Sequence, residues 1–221
     1  MSVVVVVDYG SGNLRSVSKA LESLGASVCV SGKPEDVAKA DKVILPGVGA
    51  FSAAMRELDA RGLVLPIKAA IAKGVPYLGI CLGLQLLFED SEEGGAIPGL
   101  GVLPGRVRRF AVNGNGLKVP HMGWNQVQQQ ATSNKQQYGS CPLLQGIPDG
   151  SFVYFVHSYY GDPADRSVVA LETDYGGRFA SMVWRKNLYA TQFHPEKSQA
   201  VGLKLLENFI KLELFNSSRA R

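Results

Sequence analysis

The sequence predicts an α/β fold: an open, doubly wound, mostly parallel sheet that carries an antiparallel β extension. Three observations lead there. Residues 3–7 are an unbroken valine run, which suits a strand buried on both faces, as in a parallel sheet covered by helices on each side. Over residues 3–89 such runs alternate with segments of helical periodicity, the β-α-β-α order of a doubly wound sheet. From about residue 101 to 193 the pattern changes to aromatic and β-branched runs separated by turn residues, which points to antiparallel strands.

The elements follow in order. The valine strand is succeeded by a glycine-rich turn at residues 8–13, and then Leu14, Val17, Leu21 and Leu24 recur at helical spacing. Gly25 ends that helix. Strands are expected at 26–30 and 42–45, the second closed by Pro46-Gly47-Val48-Gly49. Helices are expected over 51–60 and 64–73, a short strand over 77–80 and a further helix over 82–89. In the second half, 152–156, 168–172, 179–184 and 188–193 read as strands. The polar stretch 126–138, dominated by Gln, Ser, Asn and Thr, reads as a mobile surface loop. A last helix over 198–215 places Val201, Leu205, Leu206 and Phe209 on one face. No internal repeat occurs, and the 221 residues are expected to form one domain, 1–221.

Composition narrows the function. A net charge of +4 is too small to argue for nucleic acid. The densest basic cluster, Arg106, Arg108 and Arg109, reads as a solvated strand edge or as a docking patch. The three cysteines make no disulfide framework, and no basic region precedes the first valines. A cytoplasmic or similarly reducing location is therefore expected. The valine run is far too short to span a membrane.

The chemistry concentrates at Gly79-Ile80-Cys81-Leu82-Gly83, which follows a predicted strand and opens a predicted helix. This is the cysteine form of a nucleophile elbow: flanking glycines permit a tight turn that presents one side chain, and the helix start favours thiolate. Cys29 alternates with Val28 and Val30 and reads as core, whereas Cys141, before Pro142, has no activating neighbour. A thiolate needs a base. His194-Pro195-Glu196 stands at a strand end, and in an extended segment positions two apart share a face. Glu196 can then fix the His194 tautomer, completing a Cys-His-Glu triad. A metal site is not expected, because no Cys-x-x-Cys and no His pair at helical spacing occur. Gly10-Ser11-Gly12 begins like a dinucleotide fingerprint, but Arg15 stands where its last glycine belongs.

Gly-Ile-Cys81-Leu-Gly-Leu-Gln together with His194-Pro-Glu196 resembles the class I glutamine amidotransferases, whose fold is flavodoxin-like. The runs Asp8–Asn13, Pro46-Gly47-Val48-Gly49-Ala50-Phe51, Pro120-His121-Met122-Gly123-Trp124-Asn125 and His157-Ser158-Tyr159-Tyr160 are similar to those of the glutaminase subunits of imidazole glycerol phosphate synthase. The glutamine-rich stretch after Val127 is longer than that group usually carries.

The resemblance implies hydrolysis of glutamine to glutamate and ammonia, with ammonia passed to a (β/α)8-barrel cyclase subunit in a heterodimer. There it would help form imidazole glycerol phosphate and an aminoimidazole carboxamide ribonucleotide in histidine biosynthesis. No cofactor or metal is implied. By the same resemblance, Val48, Gly49 and Leu82 supply the oxyanion hole, and Gly47, Gly49, Gln85, Glu93, Ser158 and Tyr159 bind glutamine. Asn13, His121, Trp124, Tyr154 and Lys197 are expected to face the partner, with His157 supporting the glutamine pocket. Three rivals stay open: a glutaminase subunit serving anthranilate, guanylate or pyridoxal phosphate synthesis, a thiol peptidase or other hydrolase on the same fold, and a silent binding subunit. The intact Cys81, His194 and Glu196 argue against the last.

Overall fold

Alternation along one strand explains how the chain covers both faces of its sheet. In β1 (Val3–Val7), Val4 and Val6 enter one apolar cluster while Val5 and Val7 enter another, as the two-residue period of a strand requires. The computed structural model describes residues 2–95, 97–111, 116–130 and 140–213. The Val4 and Val6 side is covered by α1 (Leu14–Ser23), through Val17 and Leu21, and by α6 (Gln199–Ile210), through Leu205, Leu206 and Phe209. The opposite side is covered by α3 (Phe51–Ala60) and α4 (Val64–Ala72), through Phe51, Leu58 and Ile67. The doubly wound architecture is therefore as expected.

The main sheet runs β2 (Ser27–Ser31), β1, β3 (Lys42–Gly47), β4 (Tyr77–Cys81), β14 (Leu188–Thr191), β13 (Arg178–Arg185), β12 (Val169–Asp174) and β9 (Gln128–Gln129). The first five strands are mutually parallel and the rest pair antiparallel. The key step is β14, which lies parallel to β4 with Thr191 in register with Ile80. Two distant parts of the sequence thereby end at the same carboxyl edge of the sheet, where ligands of open α/β sheets bind.

Residues 101–193 do not form one antiparallel extension. Among the described residues only β12, β13 and β9 extend the main sheet antiparallel, whereas β14 returns parallel. A two-stranded ribbon pairs β8 (His121–Gln126) with β10 (Phe152–His157). A four-stranded sheet takes the order β11 (Tyr159–Pro163), β7 (Gly105–Arg109), β5 (Asp90–Ser91), β6 (Ile97–Pro98), and its β5–β7 pair is parallel.

Other expectations need correction. The helix predicted over 82–89 is only α5 (Leu82–Gln85). Beyond it the carbonyls of Leu86, Leu87, Phe88 and Glu89 accept from the amides of residues 99–103, so a folded-back segment takes the bonds a longer helix would have used. A short helix, α2 (Pro34–Ala38), is additional; Pro34 at its start and Glu35 and Asp36 in its first turn suit a helix N-terminus. Cys29 lies on β2 at the sheet edge and is only partly buried. The last helix ends at Ile210, and residues 214–221 lie outside the described residues. Of the stretch read as a loop, Gln126 ends β8 and Gln128–Gln129 form β9, while 131–139 lie outside the described residues. In the basic cluster, Arg106 pairs with Asp90 at 3.2 Å and Arg108 with Asp162 at 2.6 Å, a solvated and compensated strand. No helix among the described residues is long and apolar enough to cross a membrane.

Candidate active site

The glycines around Cys81 are dictated by backbone proximity. A Cβ on Gly83 would sit 1.9 Å from the Leu45 carbonyl oxygen, and one on Gly79 would sit 2.5 Å from the Gly83 carbonyl oxygen. With both positions open, α5 packs directly on the ends of β3 and β4. Cys81 then turns the corner at φ 56° and ψ −107°, a left-handed backbone that non-glycine residues avoid and that a packed surround must hold. α5 is a single turn, too short a row of peptide dipoles for the helix-start effect expected at Cys81. Cys81 is 6% exposed, so it is recessed rather than presented openly.

Pro195–Lys197 form a 3₁₀ turn, not the extended segment read from the sequence. The turn still returns the carboxylate to the ring: His194 Nδ1 lies 2.9 Å from Glu196 Oε1, and both side chains are buried. Nδ1–H donates, so Nε2 is the nitrogen left for the thiol. Nε2 is buried. Burial opposes charge on His194, but the adjacent Cys81 sulfur, as thiolate, and the Glu196 carboxylate outweigh it and push the imidazole pKa up to about 10. The backbone of His194 is fastened too, its N–H donating to the Tyr154 carbonyl at 3.0 Å and its carbonyl accepting from Ser198 Oγ at 2.7 Å.

The predicted oxyanion turn lies beside the nucleophile, since Gly47 of β3 is in register with Cys81 of β4. Gly47 is tightly enclosed, for a Cβ there would meet Tyr9 Oη at 2.6 Å and Leu82 Cβ at 2.8 Å. The Val48 carbonyl accepts from Ser11 Oγ at 2.8 Å, and Gly49 has φ +91°. Glu93 stands against the end of this turn, where one carboxylate oxygen accepts from the Phe51 amide at 2.8 Å and supports the start of α3.

Gln85 is buried, and its amide donates to the Tyr159 carbonyl at 2.8 Å and to Gln192 Oε1 at 3.2 Å. Gln192 in turn donates to Cys81 Sγ at 3.7 Å. Sequence reasoning missed Gln192; its only signal is its place two residues before His194 on a segment leaving a buried strand. His157 is buried, with Nδ1 2.9 Å from the Tyr159 carbonyl and Nε2 3.0 Å from His121 Nδ1. Ser158 and Tyr159 thus occupy a segment braced from two sides.

Of the residues expected to face a partner, Trp124 is 47% exposed and packs on Tyr154, over whose ring Lys197 Nζ lies at 5.7 Å. Tyr154 is opposite Trp124 in the β8–β10 ribbon, so this cluster backs directly onto His194. His121 does not belong on that face. It is 2% exposed and stacked on Tyr175 and Phe155, because strand alternation turns it inward while Trp124 and Met122 face outward. Asn13 is half-buried and points to Glu196 at 3.2 Å. Among the described residues no group of three or more His, Cys, Asp or Glu side chains is placed to hold a metal ion.

Residues 5–212 match the model of the family described as glutamine amidotransferase class-I. The chain belongs to that family. This amidotransferase is 54% identical over 211 residues to the protein named "Imidazole glycerol phosphate synthase subunit HisH" of Syntrophotalea carbinolica, a match covering 94% of this chain and 98% of the relative. It is 53% identical over 218 residues to the protein of the same name from Aromatoleum aromaticum, covering 95% and 98%. Among solved structures, the amidotransferase superposes on a crystal structure titled as a glutamine amidotransferase with TM-score 0.71 and 20% identity, covering 94% of this chain and 97% of the other. It superposes on the glutaminase domain of Trypanosoma brucei CTPS with TM-score 0.65 and 15% identity, covering 96% and 95%. At those identities the structural likeness speaks for the fold of this amidotransferase.

Proposed function

We propose that the chain is the glutaminase subunit of an imidazole glycerol phosphate synthase and works through Cys81, His194 and Glu196. The observation that carries the chemistry is the His194–Glu196 pair beside a strained, glycine-flanked Cys81. The Cys81 thiolate, formed by proton transfer to His194, attacks the side-chain amide carbon of glutamine. The negative charge on the carbonyl oxygen falls between the Leu82 amide and an amide of the 47–49 turn. His194 gives its proton to the departing nitrogen, ammonia leaves, and a thioester stays on Cys81. His194 next takes a proton from water, hydroxide adds to the thioester carbon, and glutamate departs as the thiol is restored. Gln85, Glu93, Ser158 and Tyr159 are assigned to holding glutamine. The ammonia is delivered to a barrel cyclase subunit, for which the exposed Trp124 with Tyr154 and Lys197 is the assigned docking face.

The test is product formation by this chain combined with the barrel cyclase and its nucleotide substrate, supplied with glutamine or with ammonium salt. Glutamine-driven formation that requires this chain supports the assignment. Glutamine hydrolysis that the cyclase never converts to product would move the chain to another member of the class.

A further inference from the structure

The triad carboxylate has two oxygens, and only one of them is engaged. Glu196 Oε1 accepts from His194 Nδ1 at 2.9 Å and from Asn13 Nδ2 at 3.2 Å, while Oε2 is buried without a hydrogen-bond partner. The last torsion of a glutamate side chain is soft, so one bond to a ring that itself can turn leaves the plane of the carboxylate loosely set. Asn13 Nδ2 and His194 Nδ1 converge on the same oxygen from two separate elements, and a second donor on that oxygen restricts where it can sit.

We propose that Asn13 is a positioning residue for the triad, locking the Glu196 carboxylate in the rotamer that holds His194; this rests on the glutaminase reading above.

Three features support it. Asn13 is the N-cap residue of α1, a place where Asn ordinarily bonds to its own helix, yet its side chain makes no capping bond. The side-chain orientation that would bring its oxygen onto the α1 amides is given up, and its Nδ2 donates instead to Glu196, 183 positions away. The turn carrying Asn13 is itself fixed to the active site: Gly10 and Gly12 have φ of +90° and +126°, and between them Ser11 holds the Val48 carbonyl at 2.8 Å. One turn therefore touches both the triad acid and the oxyanion turn. Finally, the charged neighbours leave Asn13 this task. His194 is the ionic partner of Glu196, and Lys197, next in the chain, is turned away over the Tyr154 ring.

The test uses the full chain, alone and saturated with the barrel cyclase, with Asn13→Ala, Asn13→Ser and Asn13→Asp. Ser caps helices as well as Asn does but is too short to reach Glu196, so Asn13→Ser separates folding from positioning. For Ala and Ser we expect kcat for glutamine to fall on the order of tenfold both with and without the cyclase, with KM within about twofold. The alkaline limb of the kcat/KM profile should move to lower pH, because Glu196 helps hold the proton on His194 and a loosened carboxylate holds it less. Asn13→Asp should lower kcat further, through like charge beside Glu196. Unchanged kcat and pH profile would overturn the proposal. A loss seen only with the cyclase present would make Asn13 a docking residue instead, and a loss that follows a lowered Tm at constant pH profile would make its role structural. If the unsubstituted complex fails to hydrolyse glutamine, the glutaminase reading falls first, and that result differs from every variant-specific one.

Discussion

His194 Nδ1 and Glu196 Oε1 are 2.9 Å apart, within a three-residue turn that buries both side chains. The carboxylate fixes the tautomer and supports the imidazolium, but the imidazole alone moves protons. His194→Ala should therefore lower kcat by about 10²–10⁴, and Glu196→Gln should cost less. Rate ratios at saturating glutamine check this. Equal losses would mean that the two residues act as one indivisible unit.

The histidines should also shape stability against pH, with opposite signs. His194 is raised from 6.5 to about 10. The folded chain holds that proton more tightly, so this contribution is complete below about pH 6.5 and is lost as pH rises towards 10. Burial lowers His157 to about 3 and His121 to about 4. The unfolded chain takes those protons first, so stability falls as pH drops below about 6.5. Urea midpoints from pH 4 to 10 should show Glu196→Gln flattening the alkaline slope and His121→Gln flattening the acid slope. Parallel curves for all three proteins would contradict the assignment.

Local chemistry was readable from sequence, and long-range placement less so. The valine run, the glycines around Cys81 and the His194-Pro195-Glu196 run each carry their signal within a few residues. The return of β14 alongside β4 is set by packing across more than a hundred positions, and no local pattern announces it. The same holds for Gln192 beside Cys81, which the sequence does not single out, and for Asn13 beside Glu196, which reads as a docking residue. His121 was misplaced because a motif gives residue types, whereas the strand phase that turns its ring into the aromatic cluster is a tertiary fact.

The three cysteines should differ in reactivity for different reasons. Cys141 is buried, and burial pushes its thiol up to about 12. Cys29 is partly accessible on an edge strand. Cys81 is recessed, so its selectivity must come from His194 and from recognition. Brief labelling with a glutamine-like electrophile should modify Cys81 alone by peptide mapping. A small neutral alkylator should reach Cys29 well before Cys141. Preferential glutamine-analogue labelling of Cys29 or Cys141 would contradict the site.

The 47–49 turn is where a partner could act on the chemistry. Gly49 has φ +91°, so Gly49→Pro, which holds φ near −65° and removes the N–H, forces the turn out of this conformation. One oxyanion donor is worth about 2.7–4 kcal/mol. Gly49→Pro should thus reduce partner-stimulated hydrolysis by about 10²–10³ while barely changing partner affinity. The unsubstituted chain should turn over slowly alone and far faster with the cyclase and its nucleotide ligand. Identical turnover numbers under all three conditions would mean that the site is complete without a partner.

The most direct measurement is made on Cys81→Ala in complex with the barrel cyclase, following ammonia release and nucleotide product in the same sample. The substitution removes one sulfur and should leave the fold and docking unchanged by circular dichroism and titration. With glutamine, neither ammonia nor product should form; with ammonium salt, product should form at the rate of the unsubstituted complex. Ammonia release from glutamine by the pure variant would contradict Cys81 as the nucleophile on which the whole account rests.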